Sequence, residues 1–176
     1  MLYSAYRQRI IQLHQKLGIP RDYEEHFGIP MHCEAEHLVD AGPDMFGRGQ
    51  QMAPAAYKHW VDMRQAAIED DIQLLLVSAF RSVDYQTTII ERKQAEGQSM
   101  DEILASSAAP GYSEHHTGRA IDLTTVDCPP LIEEFEQTQA FRWLCDNASR
   151  FGFYMSYPKD SEHKILYEPW HWVLKQ

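Results

Sequence analysis

The chain has 176 residues, 44% of them hydrophobic, and a formal net charge of −10 from 16 Lys and Arg against 26 Asp and Glu. That length suits one ordinary domain with a real core, and the composition excludes a disordered, collagen-like or coiled-coil chain. The acidic balance excludes the basic face that a nucleic acid or an anionic membrane would need, and the scattered Cys33, Cys128 and Cys145 do not read as a disulfide framework.

Ile10, Leu13 and Leu17 recur at helical spacing and predict a helix over residues 5–17, ended by Gly18 and Pro20. The longest apolar run in this stretch is Ile10-Ile11, so neither a secretory leader nor a membrane span is legible. The expected compartment is therefore the cytoplasm, or the periplasm if a leader has been trimmed away. Residues 21–50, punctuated by Gly28, Pro30, Gly42, Pro43, Gly47 and Gly49, read as a long irregular surface arm.

A helix over 54–70 follows, with Tyr57, Trp60, Val61, Met63, Arg64 and Ile68 near one side. Residues 72–80, IQLLLVSAF, read as a buried strand, too apolar for a sheet edge. Helices are expected over 85–96, stopped by Gly97, and over 100–106, with a loop after them. A second strand spans 118–125, and a long amphipathic helix spans 130–150 with Gly152 at its end. Strands at 153–158 and 164–175 read as a pair joined by the polar loop 159–163. This order predicts an α+β fold, a small, partly antiparallel sheet packed with helices, in a single domain over 1–176.

Polar residues converge on two short strings, PGYSEHHTGRAID at 110–122 and EPWHW at 168–172. Together they offer His115, His116, Asp122, Glu168 and His171. A catalytic zinc site takes three protein ligands and keeps one position open, with a carboxylate beside it that is not a ligand. Asp122 lies in the apolar run Ala120-Ile121-Asp122-Leu123, where a bare carboxylate is costly. A metal would compensate it; so would a salt bridge or a turn. Residues three apart on a regular strand point to opposite faces, so Glu168 and His171 serve one site only if the chain bends, and Pro169 is the natural place.

The string PGYSEHHTGRAID fits the Ser-x-His-x-x-Gly-x-Ala-x-Asp signature of the VanY-type D-alanyl-D-alanine carboxypeptidases, and EPWH fits their Glu-x-x-His signature. SAFRSVDYQ at 78–86 resembles a third block of that family. The resemblance runs from about Met52 to the C-terminus, which makes 52–176 the expected catalytic core and 1–50 an N-terminal arm. It implies one zinc ion held by His115, Asp122 and His171, with Glu168 as general base. It further implies Arg81 on the substrate carbonyl and the oxyanion, Ser113 on the terminal carboxylate, and Gln86 along the peptide site. His116 matches no ligand position. Phe80 stands where the family has Tyr or Trp, a difference of packing.

The expected reaction is release of a C-terminal D-amino acid, D-Ala, from a peptidoglycan-type stem peptide, the D,D or L,D choice being open. The expected partner is a small peptide or muropeptide, not nucleic acid or membrane. Alternatives are a wall endopeptidase of the phage-lysin type and a non-catalytic zinc-binding interaction domain. Cys33, His37 and Asp40 offer only a weak second metal cluster. Cys128 and Cys145 read as small buried hydrophobes, and His14, His26, His32, His59 and His163 as surface or packing residues. Trp60, Trp143, Trp170 and Trp172 read as core, with Trp170 near the site.

Overall fold

The computed structural model describes residues 2–160 and 164–175. His163 and part of the polar loop expected at 159–163 lie outside the described residues.

Helix α1 (Leu2–Leu17) buries Ile10 and Leu17, and the short α2 (Tyr23–Phe27) buries Tyr23 and Phe27. The segment expected to be an irregular arm then forms an antiparallel hairpin, β1 (Val39–Pro43) with β2 (Gly49–Met52), in the register Val39↔Met52. Neither VDAGP nor GQQM alternates apolar with polar residues, so no period-2 pattern announces the strands. A side chain closes the turn between them. The Asp44 carboxylate accepts from the N–H groups of Phe46 and Arg48, both at 2.9 Å, from Arg48 Nε at 2.7 Å and from Gln50 Nε2 at 3.0 Å.

Helix α3 (Pro54–Glu69) starts on proline, whose fixed φ suits the first turn. Strand β3 (Leu75–Ser78) follows, then α4 (Val83–Ala95), capped by the Ser82 hydroxyl accepting from Tyr85 N–H, and α5 (Met100–Ser106), opened by a Ser99–Glu102 capping box. Strand β4 (Ala120–Thr124) comes next. The helix expected over 130–150 is divided into a 3₁₀ turn at Glu133–Gln137, α6 (Gln139–Asn147) and a second 3₁₀ turn at Ala148–Phe151. Thr138 makes the break, because its extended backbone (ψ 159°) lets its hydroxyl cap α6 by accepting from Phe141 N–H.

Strands β5 (Phe153–Met155) and β6 (His171–Leu174) complete a four-stranded sheet in the order β3-β4-β6-β5. Every pairing is antiparallel, so the expectation of a partly antiparallel sheet is corrected to a wholly antiparallel one. The expected 153–158 and 164–175 strands shrink to β5 and β6. The β3 strand lies at an end of the sheet despite its apolar sequence. The hairpin shields that edge: Met45 N–H donates to Leu76 C=O at 2.8 Å, Arg48 Nη2 to Val77 C=O at 3.0 Å, and Phe80 N–H to Gln51 C=O at 3.0 Å. A covered edge needs no gatekeeping charge.

Two apolar clusters form the core. One joins α3, α6 and the strands through Trp60, Met63, Ile121, Leu144, Phe153 and Trp172. The other joins the N-terminal helices to α4 and α5 through Ile10, Tyr23, Ile90, Ile103, Tyr112 and Tyr157. Cys145 is exposed and Cys128 half-buried, so neither is the buried hydrophobe expected. No described helix is long and apolar enough to cross a membrane.

Candidate active site

All five residues of β4 are buried, and Asp122 sits at their centre, paired across the ladders with Ser78 of β3 and His171 of β6. His115 arrives from the 3₁₀ turn Glu114–Thr117, which ends on Gly118 at φ 65°. A Cβ at Gly118 would meet the Ala53 backbone nitrogen at 2.8 Å, so both the left-handed conformation and the close approach demand glycine there. Glu168 reaches the site because residues 168–171 turn before β6, with His171 N–H donating to Glu168 C=O at 3.1 Å. The bend falls at Pro169, whose carbonyl accepts from Trp172 Nε1.

His115, Asp122 and His171 are all buried, and one donor atom from each lies within 4.8 Å of the others. It is the one such group among the described residues; Cys33, His37 and Asp40 form none. His115 Nδ1 is 2.6 Å from the Ala79 carbonyl and Nε2 is 3.0 Å from Arg81 Nη2. Arg81 can only donate, so the ring is neutral, with its proton on Nδ1 and the Nε2 lone pair facing the centre. Burial and the Arg81 charge together pull its pKa down to about 4.

His171 lies between two carboxylates, with Nδ1 3.1 Å from Asp122 Oδ1 and Nε2 2.8 Å from Glu114 Oε2. Burial alone would lower its pKa, but these hydrogen bonds outweigh it and lift the value to about 10. Burial would also raise Asp122, yet the Arg81 guanidinium and the hydrogen bond from His171 hold it well below the usual carboxylate range. The Arg81 guanidinium ion-pairs with Asp122 through Nη2 and donates from Nε to Ser78 Oγ at 2.9 Å. It does not reach for the neighbouring Asp84.

Glu168 places Oε2 3.9 Å from His171 Nδ1 and keeps 15% side-chain exposure. Burial is the main cause that raises its pKa to about 7. A cleft of about 710 Å³ opens over these groups, and Arg81, Gln86, Ser113, His115, Asp122, Glu168 and His171 all line it. The structure thus brings together all seven residues singled out in the sequence, and Trp170 joins the same wall.

His116 points elsewhere. Its Nδ1 is 2.6 Å from the Arg81 carbonyl and its Nε2 accepts from Gly111 N–H at 3.0 Å, so both ring nitrogens are taken by backbone. Sequence reasoning passed over Glu114, the half-buried carboxylate that bonds His171. Its only signal was an acid immediately before His115.

A nitrogen–oxygen–nitrogen donor set with open access on one side suits zinc, and His171 is already oriented for it. A cation at Nδ1 would take the place of that proton while Nε2–H stayed on Glu114, the arrangement in which a second carboxylate fixes a ligating histidine.

The family model described as VanY, D-alanyl-D-alanine carboxypeptidase, matches residues 49–174. The chain belongs to the VanY family. It is 28% identical over 143 residues to the D-alanyl-D-alanine carboxypeptidase of Enterococcus faecalis (strain ATCC 700802 / V583), covering 76% of this chain and 52% of that protein. The LdcB LD-carboxypeptidase structure matches with a TM-score of 0.72 at 30% identity, covering 82% of this chain and 71% of that one. A point mutant of the vancomycin resistance D,D-pentapeptidase VanY, in complex with Zn(II), matches at 0.63 and 25% identity, covering 83% and 82%. The chain spans about half the length, or less, of the first curated relatives it matches. The VanY-family fold is α+β, as the element order predicted.

Proposed function

We propose that this VanY-family protein is a zinc carboxypeptidase that releases a C-terminal D-amino acid, D-Ala, from peptidoglycan-type stem peptides. The observation that carries this reading is the buried donor group of His115, Asp122 and His171 with the half-buried Glu168 beside it and Arg81 across from it. One zinc ion at that group would supply Lewis acidity, acidifying water and polarising a carbonyl.

The protein's own residues do the rest. Glu168, lifted by burial to about 7, is suited to accept a proton near neutral pH as water attacks the amide carbon. The same carboxyl then returns the proton to the leaving amine. Arg81, held by Ser78 and Asp122, aims a planar cation at the charge that grows on the carbonyl oxygen. Ser113, buried on the cleft wall, offers a hydroxyl to the terminal carboxylate.

The test is mass spectrometry of muropeptides incubated with zinc-loaded protein. Loss of one terminal D-alanine, from a pentapeptide for D,D or a tetrapeptide for L,D activity, is expected. Cleavage within the peptide, or of an amidated C-terminus as fast as the free acid, would replace this reading with an endopeptidase.

A further inference from the structure

The cations that line the cleft are unequally occupied. Arg48 is paired with Asp44 at 2.7 Å, Arg92 lies 3.8 Å from Glu96, and Arg81 is paired with Asp122. Lys93, on the same wall, has no carboxylate partner among the described residues. Its Nζ donates instead to Ser106 Oγ at 2.9 Å and Ser107 Oγ at 2.7 Å. These two neutral acceptors, at the C-terminal end of α5, hold the ammonium in place without neutralising it. Burial lowers its pKa from the ordinary lysine value, against the opposing pull of the Glu168 carboxylate, which lines the same cleft without pairing with it.

A complementary mismatch lies two turns earlier on α4. Gln86 donates from Nε2 to the Ala108 carbonyl at 2.8 Å, which fixes the orientation of the amide. Its Oε1 is then a buried acceptor with no partner. Lys93 and Gln86 line the same cleft, and their partners Ser107 and Ala108 are adjacent in the chain. The wall therefore presents a cation that makes no ion pair among the described residues and an acceptor without a donor. A backbone N–H followed by a free carboxylate, the end of a peptide chain, supplies both.

We infer that Lys93 is the charge that recognises the substrate's terminal carboxylate, with Gln86 Oε1 accepting an N–H of the same terminal residue. Ser113 is neutral and Arg81 is assigned to the carbonyl oxygen, so neither offsets a full negative charge at that end. A charge-assisted contact is the strong kind. This inference rests on the carboxypeptidase reading and names what enforces its specificity.

The experiment compares D-Ala-terminated peptides with their C-terminal amides on zinc-loaded wild-type, Lys93→Met and Lys93→Arg proteins. Lys93→Met should raise KM for the acid about tenfold or more while leaving kcat and the amide's KM within about twofold. Lys93→Arg should restore part of the preference, which a merely structural role would not require. An unchanged acid-to-amide ratio in Lys93→Met would overturn this inference alone. A wild-type protein with no preference for the acid would overturn the carboxypeptidase reading, and this inference with it.

Discussion

Two adjacent histidines in one motif have opposite surroundings. His115 turns an unprotonated nitrogen into the cleft, whereas His116 spends both nitrogens on the backbone of Arg81 and Gly111. The sequence alone could not separate them by residue type, because the distinction is made by which side of a 3₁₀ turn each occupies. Resemblance to a motif singled out His115, and it is His115 whose ring lies with Asp122 and His171 in one buried donor group. Glu168→Gln should keep zinc and the fold yet lose about 10²–10⁴-fold in turnover, because only the proton transfer is removed; near-normal kcat at full zinc content would exclude Glu168 as the base. Glu114 was not legible as part of the site, since its role depends on β6 lying against a turn 57 residues earlier. Replacing it with Gln or Ala should weaken zinc binding about 10–100-fold, measured by competition with a chelator. An unchanged dissociation constant would make the Glu114–His171 contact incidental.

Among the elements, the strongly periodic helices and the apolar strands were legible, while the hairpin and the broken helix at 130–150 were not. The helix α3 and the strand β4 carry their own signal in spacing and in β-branched or apolar runs. The β1–β2 hairpin carries none, because a side chain, Asp44, holds its turn and its strands pack over the end of β3. Burial would raise the Asp44 carboxyl, but the Arg48 N–H, the Arg48 side chain and the Phe46 N–H lower it on balance below its ordinary 3.8. A lowered folded-state pKa means that the contribution is whole above about 3.8 and fades as pH falls through the folded value. Asp44→Asn should therefore cost about 1–3 kcal/mol near neutral pH. Thermal unfolding should show the gap between the variant and the parent narrowing as pH drops below that range, and a gap independent of pH would show that the charge is not what holds the turn.

For the molecule as a whole, the family match begins at residue 49, yet the N-terminal helices are not an appendage. Six buried apolar side chains, Ile10, Leu17, Ile19, Tyr23, Phe27 and Ile29, share one cluster with Ile90, Ile103 and Tyr157. At about 1.5–3 kcal/mol for each buried side chain, the total is on the order of 10 kcal/mol, comparable to the whole stability of an ordinary domain. A fragment of residues 49–176 should bind hydrophobic dye and lose cooperative unfolding. A fragment that melts as sharply and as high as the full chain would show that residues 1–48 are a dispensable arm after all.

The pairing of Asp122 with His171 reaches beyond chemistry. The spacing of those two donors is set by the β4–β6 hydrogen-bond ladder, and a slip of one residue would turn Asp122 to the other face of the sheet. Whatever binds the donors also holds the strands in register, so a bound cation should act as a clamp on the native chain. At a thousandfold excess of free ion over its dissociation constant, that clamp is worth about 4 kcal/mol. The supply of zinc around the protein would then govern how long the chain survives a protease, and scarcity of the ion would shorten its lifetime as well as silence it.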